Sequence, residues 1–272
     1  MTLRTTLRAV PAMFRVGVME AIAYRAEMVV WLLSTTMPFV SLMLWSAVAS
    51  EGAVVSSQGR AWTGSSFVAY FLAAFVVRQL VSSWAAWEIN YEVRQGTLSL
   101  RLLRPVHPMV SFSVGHLAAI PLRMLVALPV TIALVILTWD TGLPRAPLAL
   151  AMLAASVVGA WLIAFLSNVL IGALALFTEQ SGKLLEVWMT CFFVFSGYLF
   201  PLELFPDWLR ASVALMPFRY QMGFPVELLI GAHDEAETLA LLGHQWLWVL
   251  GLLVGAWQLW RHAIRRFQAV GG

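Results

Sequence analysis

Pro147–Phe177 reads PLALAMLAASVVGAWLIAFLSNVLIGALALF, an unbroken run without Asp, Glu, Lys, Arg or His. A membrane-spanning helix needs about 20 mostly apolar residues, because the hydrocarbon core is about 30 Å thick and each residue adds about 1.5 Å. This run is longer than that, so it is expected to tilt or to project on one side. Backbone amides in hydrocarbon must bond within their own segment, so the run is expected to be helical. The rest of the 272-residue chain has the same character, at 61% hydrophobic and only 11% charged. A soluble domain is about 25% charged. The composition therefore excludes an ordinary soluble enzyme and a disordered chain. The 13 Trp and 16 Phe fit rings anchored at headgroup level.

Five further runs are read as spans: about Met28–Ala49, Ser65–Trp87, Ser113–Trp139, Lys183–Phe200 and Leu239–Trp260. The expected fold class is all-α integral membrane. It has an N-terminal interfacial helix over 1–27, six spans within 28–260, an external re-entrant hairpin over 200–238 and a tail over 261–272.

The few charges orient these spans. One side collects Arg4, Arg8, Arg15, Arg25, Arg94, Arg101, Arg104, Lys183, Arg261, Arg265 and Arg266. The other holds Arg60, Arg145, Arg210 and Arg219 with acidic residues such as Glu51, Asp140, Glu203, Asp207 and Glu227. The basic side is expected to be cytoplasmic, which puts both termini inside. The net charge of +3 is then a topology signal and not a sign of nucleic-acid binding.

Three segments are not spans. Residues 3–24 place Arg4, Arg8 and Arg15 on one helical face and Leu3, Leu7, Val10 and Phe14 on another, the pattern of an interfacial helix that Pro11 would kink or split. Residues 88–108 form the longest internal cytoplasmic connection. Gly96 should end the helix leaving the second span, and Leu98 and Leu102 with Arg101 and Arg104 suggest a short amphipathic helix stopped by Pro105. Residues 200–238 contain Pro201, Pro206, Pro217 and Pro225, which cut them into pieces shorter than a span.

Polar residues inside spans are costly and are functional candidates. Arg78 reads as an anchor for an acidic group or as a lock between helices. Arg123 reads as a side chain reaching for the cytoplasmic interface. Asn168 could bond across helices, and Glu186 could pair with Lys183 one turn away or couple to protons. His107 and His116 read as plain polar contacts, and Cys191 as a buried thiol. No Gly-x-x-x-x-Gly-Lys-Ser/Thr, Gly-x-Ser-x-Gly or His-Glu-x-x-His stretch occurs. No catalysis, metal or cofactor is expected in this chain.

Tyr91-Glu92-Val93-Arg94-Gln95-Gly96-Thr97-Leu98 through Leu103-Arg104-Pro105 resembles the Glu-x-Arg/Lys-x-Gly-Thr-Leu…Pro pattern of ABC-type-2 permeases. Phe195-Ser196-Gly197-Tyr198-Leu199-Phe200-Pro201-Leu202-Glu203-Leu204-Phe205-Pro206, followed by Met216-Pro217-Phe218-Arg219-Tyr220, looks like that family's fifth helix leading into external re-entrant helices. Tyr24-Arg25-Ala26-Glu27 and Phe224-Pro225-Val226-Glu227 are similar to one bacterial subgroup, whose permeases often look paired with a second, similar permease and a separate ATPase.

The resemblance implies the membrane subunit of an ATP-driven exporter in the bacterial inner membrane, with ATP and Mg on partner ATPase subunits and a second permease, itself or a related chain. It implies that residues 92–105 couple to the ATPase. Glu92 and Arg94 would make polar contacts, Leu98 and Leu102 would act as knobs, and Gly96 and Pro105 would set the geometry. It also implies an external gate containing Ser196, Gly197, Pro201, Phe205, Pro206 and Pro217. The competing readings are a self-contained secondary transporter or channel, which would call for internal inverted repeats, and a non-transporting scaffold.

Overall fold

The computed structural model describes residues 3–266 apart from 25, 27–29, 31–34, 53, 58, 140–142 and 179. The expected start of the first span, with Arg25, Glu27 and Met28, lies outside the described residues, as do Asp140 and residues 267–272 of the tail.

Among the described residues the chain is helical apart from its turns and one small hairpin. Helix α1 (Leu3–Ala23) continues through Pro11, so the proline neither splits nor ends it. Helix α2 (Met37–Glu51) leads to the hairpin of β1 (Val54–Val55) and β2 (Ala61–Trp62), antiparallel with Val54 opposite Trp62. Then come α3 (Gly64–Val81), α4 (Ala85–Arg94), α5 (Leu98–Leu102), α6 (Pro108–Ala118) and α7 (Ile120–Thr138). The quoted apolar run forms α8 (Pro147–Ala173), extended by a 3-10 turn at Leu174–Leu176. Helix α9 (Ser181–Phe195) is followed by the short α10 (Asp207–Ala214), α11 (Pro217–Gln221) and α12 (Gly223–Leu229). The last helix, α13 (Glu235–Arg266), runs past Trp260 into the expected tail.

Four stretches are long and apolar enough to cross a membrane: Gly64–Arg94, Pro108–Thr138, Pro147–Leu176 and Glu235–Arg265. Each has the residues for about 45 Å of helix, more than the hydrocarbon core requires. The other two expected spans contain α2 and α9, each of 15 residues.

Helix α8 is central. Helices α13, α4, α11 and α3 pack on it, and α3 packs in turn on α2 and α7. One core gathers Ile89, Leu98, Phe112, Ile163, Val169, Phe224 and Trp260. A second gathers Phe67, Phe71, Val77, Leu134, Phe192 and Tyr198. A polar staple joins α8, α11 and α13, where buried Gln245 donates to the carbonyls of Ser156 at 2.9 Å and Tyr220 at 2.8 Å. Amide-to-carbonyl bonds of this kind hold helices together where neighbouring lipid is as apolar as the side chains.

The second and third spans differ from the expected unbroken helices. The second is interrupted at Ser82–Trp84 and the third at Ala119. Pro121 accounts for the latter, because it lacks an N–H and restricts the residue before it. Both breaks lie toward one end of the molecule, the loop end, which carries Gly96 and α5. The hairpin, α10, α11 and α12 form the far end.

Candidate functional site

At the loop end the geometry is built around Arg101. Its Nε donates to both oxygens of Glu92 at 2.9 Å, its Nη2 to Glu88 at 3.1 Å and its Nη1 to Ser111 at 2.9 Å. Its guanidinium lies 4.0 Å from the ring centre of Phe112. Glu88 and Glu92 are one turn apart on α4, an arrangement that repels unless a cation bridges it. Arg101 returns from α5 to supply that cation and ties α4, α5 and α6 together. The turn between α4 and α5 has Gly96 at φ 72°, with Gln95 and Gly96 N–H bonding back to the Tyr91 and Val93 carbonyls. That left-handed backbone at a helix end is the usual place for glycine.

The expected coupling residues divide into two groups. Glu92 is committed to Arg101, and Leu98 is fully buried against the core that includes Ile89. Leu98 is therefore not an outward knob. A five-residue helix has too few turns for spacing to set its inner face. Leu102 is half-buried. The apolar side chains turned outward are Leu100, 63% exposed, and Leu103, 82% exposed. Arg94, Arg104 and Pro105 are exposed beside them, and exposed Trp87 and Tyr91 stack at 5.6 Å on α4. The roles of Arg101 and Glu88 were missed from the sequence, although an acidic pair one turn apart next to a basic turn was a usable signal.

Polar side chains meet the backbone groups that the two breaks release. Asn168 of α8 accepts from Ala86 N–H in the first turn of α4 at 3.3 Å, so it does bond across helices. Arg123 is buried, not snorkelling, and donates to the carbonyls of Gln79 and His116, both at 3.3 Å. Helix ends leave such groups short of intrahelical partners, the His116 carbonyl keeping, of the backbone donors among the described residues, only the Ala119 N–H at 3.3 Å, and unpaired polar groups at membrane depth cost several kcal/mol. His116 links the breaks to the loop network. It is buried, with Nδ1 3.1 Å from Ser83 Oγ and Nε2 3.1 Å from Glu88. His107 caps α6, accepting from Met109 N–H at 3.2 Å. Arg78 is partly buried, over the rings of Phe192 at 5.2 Å and Tyr198 at 5.7 Å. Glu186 and Lys183 are both exposed, and no ion pair joins them among the described residues. Cys191 is free and half-buried.

At the far end the proline-rich segment folds back onto α3. Ser196, Gly197, Pro201, Phe205 and Pro217 are buried, whereas Pro206 is exposed at the start of α10. Tyr70 donates to the Gly197 carbonyl at 2.7 Å. Gly197 has φ 86°, and a Cβ there would sit 2.6 Å from the Tyr70 hydroxyl. Gly197→Ala should therefore cost about 1–3 kcal/mol through backbone strain and overpacking. The check is the thermal midpoint in detergent, set against Gly243→Ala, where a Cβ meets nothing within 4 Å.

The far end is fastened by charges that the sequence places on the side opposite the basic loops. Glu203 accepts from Arg60 at 3.1 Å and from Trp62 at 3.2 Å, which ties the hairpin to the proline-rich segment. Glu227 of α12 is buried and accepts from Arg219 at 3.1 Å and His233 at 2.8 Å. His233 Nδ1 lies 2.9 Å from Glu237. Burial opposes the Glu227 charge, but Arg219 and His233 outweigh it and hold the carboxyl at about 2. Burial likewise opposes charge on His233, yet Glu227 and Glu237 raise its pKa above the ordinary histidine value. The gap between Arg60, Trp62, Tyr70, Leu202, Glu203 and Glu227 is too small to admit water.

Residues 35–271 match the model of a family described as ABC-2 family transporter protein. No curated protein of similar sequence was found.

Proposed function

The chain belongs to the ABC-2 family of transporter proteins, and from that premise we propose that it is the permease subunit of an ATP-driven exporter of amphiphilic or hydrophobic compounds. In this reading the chain sits in the bacterial inner membrane with both termini and the loop end in the cytoplasm. It crosses six times, with α2 and α9 within the two shorter spans, while α10, α11 and α12 form the external re-entrant gate. α1, whose Leu7, Val16, Met19 and Ile22 are exposed, lies in the cytoplasmic interface. Two permeases, identical or related, pair over two ATPase subunits that bind ATP and Mg.

The observation that supports this reading best is the loop end. α4 and α5 are locked into one body by Arg101, and that body turns Leu100 and Leu103 outward. A rigid projection with apolar tips beside arginines suits a groove on a soluble partner, where a few anchors carry most of the binding energy. ATP-driven closure of the ATPases would carry this body along. The far-end lid would then open or shut as the two conformations exchange.

The test is co-purification of an ABC ATPase subunit with the tagged chain from the cells that produce it. Leu100→Asp with Leu103→Asp should remove about 2 kcal/mol or more, about 30-fold in affinity, and reduce recovered ATPase to background. Unchanged recovery with the double variant would sink the docking role of this surface.

A further inference from the structure

We propose that Arg78 and Arg123 form an intramembrane site for the anionic group, carboxylate or phosphate, of an amphiphile. The chain's own habits carry this inference. Four arginines at the two ends have carboxylate partners. Arg101 has Glu88 and Glu92, Arg219 has Glu227, Arg60 has Glu203 and Arg210 has Asp207. Arg78 and Arg123 lie inside spans, where an uncompensated charge costs most, and neither pairs with a carboxylate among the described residues. Arg123 gives two N–H groups to carbonyls, yet its buried Nε donates to nothing. Arg78 Nε is likewise buried without a partner, and the Tyr198 phenol is its polar neighbour. Arg123 reaches the carbonyl of Gln79, the residue next to Arg78, so the two side chains meet at the same turn of α3. An anion there satisfies the two free Nε donors with charge-assisted bonds.

The surroundings say what carries the anion. Arg78 lies over Phe192 and Tyr198, and Arg123 lies 5.1 Å from the ring centre of Trp84. A cationic fork set among aromatic rings at membrane depth suits an acidic head on an apolar body. Arg78 is only partly buried, so a ligand can reach it. As a binding site this stands without the transport reading; as a contact for cargo it rests on that reading. The assay below needs no ATPase, so its failure and a failure of ATPase docking are told apart.

The test is binding of fluorescently tagged oleate, against its methyl ester, to the purified full-length chain in detergent. The acid should bind about tenfold or more tightly than the ester, the ratio expected of one charge-assisted hydrogen bond or more. Arg78→Gln should abolish that preference in a monodisperse protein. Arg78→Lys should keep part of it, and Arg261→Gln on exposed α13 should keep all of it. Displacement of the probe by dioctanoyl phosphatidylglycerol, but not by dioctanoyl phosphatidylcholine, assigns the site to an anionic bilayer lipid. Resistance to both, with the acid preference intact, assigns it to a carboxylate cargo. Equal binding of acid and ester by the wild-type chain overturns the proposal, and that measurement needs no variant. An unchanged preference in Arg78→Gln overturns it as well.

Discussion

Arg219→Met should destabilise the protein by about 3–5 kcal/mol, because it leaves the Glu227 carboxylate buried without its strongest partner. The thermal midpoint in detergent near neutral pH should fall accordingly, and Arg219→Met with Glu227→Leu should recover most of the loss. The same cluster sets a pH window. The Glu227 carboxyl is held at about 2, below its unfolded value of about 4.3. Its share of stability is present above that unfolded value and is lost as pH falls through about 2. His233 is shifted the other way. Its share is complete below about 6.5 and is lost as pH rises through its raised value. The latch is therefore firmest between about pH 4.5 and 6.5. A pH series of thermal midpoints checks this, and His233→Gln should flatten the alkaline fall and reduce the acid fall to the part that Arg219 supplies.

Arg101→Met should open the loop end and leave the far end intact. It strips Glu88 and Glu92 of their shared cation and leaves them repelling one turn apart. The network is partly exposed, so the cost is nearer about 2 kcal/mol than the full penalty of a buried pair. Amide exchange over residues 88–106 should accelerate about 30-fold, while residues 196–230 keep their protection. Arg101→Lys should not restore the loop, since an ammonium cannot reach two carboxylates and Ser111 with one planar fork. Equal acceleration at both ends would mean that Arg101 supports the whole fold and not the loop alone.

The sequence shows the all-α membrane class because Pro147–Phe177 cannot be accommodated any other way. Gly96 at the end of α4 was equally legible, since its left-handed backbone follows from residue type. The break at Ser82–Trp84 was not, because hydropathy over about 19 residues averages across three small or aromatic positions. Pro121 was a visible signal for the second break, yet proline is common in spanning helices, and Pro11 sits inside α1 without ending it. Side-chain partnerships were the least legible part of the candidate site. Glu227 looked like an external surface acid because nothing local shows that Arg219 and His233 fold over it. Arg123 looked like an interfacial anchor because its partners are backbone carbonyls at two helix breaks, which residue type does not reveal.

The paired interruptions give the loop end leverage. α4 has ten residues beyond the Ser82–Trp84 break, an arm of about 15 Å. Turning that arm by about 10° at the break would move the Gly96 turn by about 3 Å, on the arithmetic of helical rise. α6 is an arm of similar length beyond Ala119, and Arg101 bolts the two together. A tilt of one arm would therefore be a tilt of both. Asn168 and Arg123 hold the backbone at the breaks, Asn168 on the Ala86 N–H and Arg123 on the Gln79 carbonyl. Force applied at Leu100 and Leu103 would reach both arms through Arg101, and α4 would pass it to α8, on which it packs.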